Sequence, residues 1–262
     1  MPTLHDLLYP LSGFVVGVIV GLTGVGGGSL MTPLLVMMFG IHPKTAVGTD
    51  LLYAAITKIF GTVMHHAGNT VDWKLVRHLA YGSLPATVVT LVFLSHAAQH
   101  GKDSGATINF VLGIVLLLTA ASILARRYIV KWTAHHFDEL NEKRTIVLTI
   151  ISGAILGLLV SLSSAGAGAI GVTMLLVLYP RMPIVRIIGS DIAHAVPLTL
   201  VAGAGHWYLG DVDLNLLYQL LIGSIPGILI GSWLAPRTSE FGLRSGLAAV
   251  LTLVGLRLVH VY

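Results

Sequence analysis

The sequence predicts an all-α polytopic membrane protein built from two inverted-topology repeats, each a Gly-broken helical hairpin followed by three transmembrane helices. Three observations lead there. Hydrophobic residues make up 55% of the chain and charged residues only 10%, with a mean hydropathy of +0.88, against about 25% charged residues in a typical soluble domain. Apolar runs of spanning length recur along the whole chain. The two halves match each other residue by residue at a nearly constant offset.

The apolar runs cover 11–39, 46–64, 75–94, 108–125, 146–179, 184–205, 214–235 and 242–260. A spanning helix needs about 20 apolar residues, so most runs fit one crossing. Two are too long: 11–39 would extend roughly 43 Å as a single helix at about 1.5 Å per residue. Each long run is interrupted by small residues. The first carries Thr23, Gly24, Val25, Gly26, Gly27, Gly28 and Ser29; the second carries Ser161, Ser163, Ser164, Gly166 and Gly168. Only 126–144 is polar over any length. It reads as a cytoplasmic linker between an N-terminal transmembrane repeat at 1–125 and an inverted C-terminal repeat at 145–262.

The halves align at an offset of 140, becoming 141 after a one-residue gap near position 45. Ser12-Gly13 matches Ser152-Gly153, and Gly17 matches Gly157. Gly26 and Gly28 match Gly166 and Gly168. Gly48-Thr49-Asp50 matches Gly189-Ser190-Asp191, Val71-Asp72 matches Val212-Asp213, and Gly82-Ser83-Leu84-Pro85 matches Gly223-Ser224-Ile225-Pro226. Duplication with paired Gly-interrupted segments is the sequence signature of a secondary transporter.

The basic residues choose the topology. If all eight runs cross, one face holds eight loop Lys/Arg and the other six. If each long run enters and returns on one side, the split is eleven (Lys74, Arg77, Arg126, Arg127, Lys131, Lys143, Arg144, Arg181, Arg186, Arg237, Arg244) against three (Lys44, Lys102, Arg257). Cytoplasmic loops carry the Lys/Arg excess, so the hairpin topology is preferred. It makes the chain a multi-pass protein of the plasma (inner) membrane with both termini extracytoplasmic. Three crossings follow each hairpin, and three is odd, so the second repeat is inverted. The count leaves open a re-entrant hairpin or two short crossing helices.

Irregular backbone at membrane depth survives only inside protein or against a water-filled cavity. The two breaks therefore should meet near the midplane, where half-helix N-termini present free N–H groups and a positive dipole end to an anion. Thr23, Gly24, Gly26, Gly27, Gly28, Ser29, Ser163, Ser164, Gly166 and Gly168 are the expected substrate-binding positions, with Lys58 as a positive charge inside the third run. The plainer reading is close helix packing by small residues. Asp50, Asp191 and His194 are proton-coupling candidates, because an ionisable group at mid-bilayer is costly enough to need a function. The structural alternative pairs Asp50 with Lys58 and Asp191 with His194. Trp73, Trp132, Trp207 and Trp233 lie at span ends, as interfacial aromatics do.

Other classes are set aside on composition. The chain has no Cys, hence no disulfide, thiolate metal site or cysteine nucleophile. Its 12 histidines show no metal-ligand spacing, and no phosphate-cradling Gly-Lys-Ser/Thr motif is present; neither cofactor nor metal is expected. The net charge of +4 sits in short loops without an aromatic-interleaved stripe, so nucleic acid is not an expected partner. The expected partners are a small anion and the lipid bilayer, with a homodimer left open. The N-terminus lacks the basic region of a cleaved signal peptide.

Gly24, Val25, Gly26, Gly27, Gly28, Ser29, Leu30, Met31, Thr32 and Pro33, then Gly48-Thr49, then the run from Gly68 to Trp73, resemble the TauE/SafE family of membrane transporters. Weaker counterparts follow at Ser164 to Gly168, Gly189-Ser190 and Gly210 to Asp213. The resemblance implies a non-enzymatic carrier that exports or takes up sulfite, sulfoacetate or related sulfur-containing anions, with the glycine loops, Thr49 and Ser190 lining the path. One departure bears on mechanism. Where the family pattern often has a small polar residue after the Gly-Thr pair, this chain has Asp50 and Asp191, which implies proton coupling or a different substrate. Two other readings stand beside the carrier. One is an anion channel. The other is an intramembrane hydrolase using Ser163 or Ser164 with His194 or His206 as base.

Overall fold

The computed structural model describes residues 4–23, 28–67, 69–99, 105–136, 141–234 and 240–260. Ten helices appear among them: α1 (Leu4–Thr23), α2 (Gly28–Phe39), α3 (Pro43–Ala67), α4 (Trp73–Gln99), α5 (Gly105–His136), α6 (Glu142–Ser163), α7 (Ala169–Leu178), α8 (Ile184–Tyr208), α9 (Leu214–Leu234) and α10 (Glu240–His260). Six are long and apolar enough to cross a membrane. The burial pattern is that of a protein in lipid. Val89, Phe93, Leu229 and Leu253 point outward, whereas Thr49, Asp50, Thr87, Ser190, Asp191 and His194 are buried.

Each over-long run is divided. In the second, α6 stops at Ser164, whose φ of 56° leaves the helical region while its N–H still reaches Val160 O at 2.7 Å. Gly166 (φ 103°) and Gly168 (φ 112°) then adopt backbone that a Cβ disfavours, and α7 begins. With 10 residues, α7 is about 15 Å long, half the hydrocarbon core. It turns back: the Tyr179 hydroxyl at its end meets Thr149 Oγ1 near the start of α6 at 2.8 Å. The first repeat does the same at matched positions, with the Phe39 ring 4.8 Å from that of Tyr9. The first break, 24–27, lies outside the described residues. Both over-long runs are thus a long helix followed by a half-length one that returns to the starting side.

Glycines set the packing between the halves. A Cβ on Gly13 would fall on the carbonyl oxygen of Leu220, and one on Gly153 on that of Leu79. Gly17 and Gly157 face the backbones of Ser224 and Ser83, and Gly223 and Gly82 face the carbonyls of Pro10 and Ile150. These contacts exchange under the sequence offset, so α1 packs parallel on α9 as α6 packs parallel on α4. Matched helices, by contrast, run antiparallel: Gly48 meets His206 while Gly61 meets Ile192 across α3 and α8, and Gly113 meets Gly255 across α5 and α10.

Contacts between chain ends also test the topology. The Asp72 N–H donates to Ser190 Oγ at 2.8 Å, Arg186 lies 3.9 Å from Asp72, and Lys74 pairs with Glu142 at 3.1 Å. At the opposite end the Asp213 N–H donates to Thr49 Oγ1 at 3.0 Å. Eight simple crossings would put Asp72 and Ser190 on opposite faces. The returning hairpins put them together. The polar stretch 126–144 is not wholly a loop: α5 continues to His136, and Asn141 caps α6 by accepting from the Lys143 N–H at 3.3 Å.

Candidate substrate site

The centre of the molecule is organised by the starts of the two half-helices. The first-turn N–H groups of a helix lack carbonyl partners, and the positive dipole end favours negative charge there. Sequence reasoning reserves these groups for a substrate anion. The structure gives the place to the chain's own carboxylates, because α3 and α8 each bring an aspartate to the half-helix of its own repeat. Asp50, fully buried on α3, accepts from both the Thr32 N–H (3.2 Å) and Thr32 Oγ1 (2.5 Å) near the start of α2. Asp191, buried on α8, lies against the first turn of α7, so close that a Cβ on Gly171 would overlap its Oδ1.

The two acids are held differently. Asp50 Oδ2 has two donors. Neither oxygen of Asp191 has a hydrogen-bond partner; the Gly168 amide lies near it without closing a well-formed bond. The offset explains why: the position matching Thr32 is Val172, which has no hydroxyl. Lys58 is near enough to act electrostatically on both carboxylates, yet among the described residues no ion pair joins it to Asp50. The pairing of Asp191 with His194 also does not form. His194 Nε2 instead lies 2.8 Å from Ser83 Oγ on α4, and its Nδ1 is unpartnered. The position matching His194 is Tyr53, with Ser224 beside its hydroxyl.

The expected site residues divide into three groups. Ser29 and Ser164, at the start of α2 and in the second break, are buried and their hydroxyls have no partner. Ser164 reaches toward Asp50 without a well-formed bond. Leu30 packs on a hydrophobic cluster that joins α5 and α10 to Ala165, Ala169 and Ile170. The second group is structural. Ser163 Oγ donates to Leu159 O at 2.7 Å and accepts from the Ala165 N–H at 3.3 Å, which shapes the break. Thr49 and Ser190, expected along the path, hold the two inter-repeat contacts at the molecule's ends; Ser190 Oγ also donates to Arg186 O at 2.7 Å. Gly166 and Gly168 supply the turn. In the third group, Gly24, Gly26 and Gly27 lie outside the described residues, as does the side chain of Thr23 that ends α1; Gly28 opens α2.

Sequence reasoning missed Thr32 and Ser83. The signal for Ser83 was its place in the duplicated Gly-Ser-x-Pro motif. The signal for Thr32 was its mismatch with Val172. Asp72 and Asp213 are explained as helix caps, their Oδ1 atoms accepting from Leu75 N at 3.2 Å and Leu216 N at 3.0 Å.

The family model described as Sulfite exporter TauE/SafE matches residues 9–258. The chain belongs to the TauE/SafE family. It is 40% identical over 252 residues to "Probable membrane transporter protein YjnA" of Bacillus subtilis (strain 168), covering 95% of this chain and 98% of that protein. It is 27% identical over 263 residues to YdhB of the same organism, described in the same words, covering 97% and 100%. A 121-residue stretch is 30% identical to "Sulfite exporter TauE/SafE family protein 1" of Arabidopsis thaliana, covering 44% of this chain and 25% of that one. No solved structure matches the chain.

This TauE/SafE chain is a multi-pass membrane transporter by family. The Ser–His hydrolase arrangement is not assembled in it. Neither Ser163 nor Ser164 meets a histidine: His206 Nε2 lies 2.9 Å from Ser161 O, with Nδ1 3.4 Å from Asp211. The Ser83–His194 contact lacks a third group on Nδ1 to orient the ring.

Proposed function

We propose that this protein is a secondary transporter, working as an exporter in the plasma membrane, for a small sulfur-containing anion such as sulfite or sulfoacetate, coupled to protons. The anion sits between the two half-helix starts, drawn by Lys58 and hydrogen-bonded by Ser29 and Ser164. The single observation that carries this reading is the pair of buried, unpartnered serine hydroxyls, one from each repeat, at the centre of the molecule. A buried donor without a partner costs about 1–3 kcal/mol, and an oxyanion accepts from both. Asp50, Asp191 and His194 are the candidates from which the proton-coupling group is drawn.

The repeats lie inverted across the bilayer, a reading supported by the antiparallel run of matched helices. The face rich in Lys/Arg is cytoplasmic and both termini are outside. Burial of both aspartates beneath inter-repeat contacts at either end favours a carrier that alternates access over an open channel. The same sites exist in a monomer, with lipid around the exposed apolar belt.

The test is radiolabelled sulfite and sulfoacetate flux in proteoliposomes, with and without an imposed pH gradient. Saturable flux that is stimulated by substrate on the opposite side and lost in Lys58→Gln is the expected result. Absence of both fluxes in folded protein removes the substrate assignment.

A further inference from the structure

We propose that Asp191 alone is the exchangeable acid of this carrier: the substrate anion takes its place as counter-ion to Lys58 when Asp191 accepts a proton, so that anion and proton bind together, while Asp50 stays a fixed charge. The inference rests on the transporter reading above and assigns separate roles to two acids that the repeat makes equivalent.

Geometry separates them. Thr32 holds Asp50 Oδ2 through two hydrogen bonds, one donated by its N–H and one by its Oγ1. A carboxylate tied in this way to a helix start is stabilised where it stands. Asp191 has the same helix start beside it and neither hydrogen bond, because Val172 replaces the hydroxyl. Lys58 acts on Asp191, and on Asp50, from beyond ion-pair distance.

The groups facing Asp191 are few. From α3 comes Lys58, with Asp50 behind it. From its own helix come His194, held by Ser83 of α4, and toward the mouth Arg186, which pairs with Asp72. At that mouth His78 of α4 lines the cleft with Tyr179 and Glu142. From α7 there is only backbone at Gly171, and from α6 the apolar Leu156.

The charge count then fixes the coupling. With both acids ionised and Lys58 protonated, the site carries two negative charges and one positive. A proton arriving from the mouth onto Asp191 and a monovalent anion arriving at Lys58 leave that total unchanged. An anion without the proton would add an uncompensated buried charge, which is strongly unfavourable. The transported unit is therefore the anion plus one proton, and export runs where the outward anion gradient exceeds the inward proton gradient.

The experiment uses the full-length protein in proteoliposomes with radiolabelled sulfite on the acid side of neutrality, where the monovalent hydrogensulfite predominates, comparing pH-gradient-driven accumulation with exchange of internal for external substrate. Asp191→Asn keeps the site's charge as in the loaded state, so the ratio of accumulation to exchange is expected to fall by about tenfold or more, within the usual range of coupling between sites. Thr32→Val, which keeps both carboxylates and their charge, is expected to hold that ratio per folded protein. Infrared difference spectra of purified protein across a pH titration give a readout that needs no substrate: the protonated-carboxyl band is expected to vanish in Asp191→Asn and persist in Thr32→Val. An Asp191→Asn protein that still accumulates substrate on a pH gradient overturns the proposal, as does a band that survives Asp191→Asn. A wild type with the expected band and no hydrogensulfite flux sinks the substrate reading and leaves the acid assignment intact.

Discussion

The two halves of this molecule pack alike and are chemically unlike. Gly13 on Leu220 repeats as Gly153 on Leu79, and the hairpin contact of Tyr9 with Phe39 repeats as Thr149 with Tyr179. At the centre the correspondence fails: Thr32 faces Asp50 where Val172 stands in the other half, Tyr53 stands for His194, and Lys58 has Thr199 as its counterpart. Close backbone contact tolerates no side chain, so duplication is retained there. A transport site that must take up and release charge needs two unequal acids, so duplication is lost there.

Packing substitutions should break both halves equally and most severely. Gly223→Val and Gly82→Val each drive a side chain into a carbonyl oxygen of the neighbouring helix. Both are expected to cost about 3 kcal/mol or more, seen as loss of the monodisperse species in detergent and a lower melting temperature. A large effect in only one of them would show that the halves carry unequal loads.

Substitutions at the centre should act unequally. Thr32→Val removes the hydroxyl donor from a buried carboxylate, keeps the backbone one, and is expected to lower stability by about 1–3 kcal/mol. Val172→Thr supplies Asp191 with the missing hydroxyl and is expected to leave melting unchanged or raised while slowing pH-driven flux. Equal effects of the two on flux would contradict the division of roles. Smaller and again symmetric are the contacts at the ends. Thr49→Val and Ser190→Ala each remove one inter-repeat hydrogen bond, worth about 1 kcal/mol, and each should raise the labelling rate of a cysteine placed at its own mouth. Arg186→Gln is weakest, because its half-exposed pair with Asp72 is screened; a melting shift below about 1 degree is expected.

Much of the fold was legible in the sequence, since apolar runs, glycine breaks and the offset of 140 follow from the bilayer and from helix geometry. Lys/Arg counting selected the returning hairpins that Asp72 and Ser190 now require. The site was legible only in its parts list. Serine hydroxyls read as ligands in sequence, yet Ser163, Thr49 and Ser190 satisfy backbone groups, because buried amides and carbonyls compete for the same hydroxyls. The occupation of the half-helix starts by Asp50 and Asp191 could not be read, since it depends on how deeply α3 and α8 sit beside α2 and α7. The sharper signal lay in the mismatches of the repeat rather than in its matches.

The pairing of α1 with α9 also has a consequence for how the chain is made. Pro10 and Phe14 seat on Gly223 and Gly227, more than 200 residues downstream. During synthesis, then, α1 must wait, the face it offers to Gly223 and Gly227 uncovered, until α9 has emerged. Contacts so distant along the chain form late. The amino-terminal helix is therefore the segment most in need of a temporary companion during insertion, and a ribosome stalled before α9 would leave a half-built bundle marked for degradation.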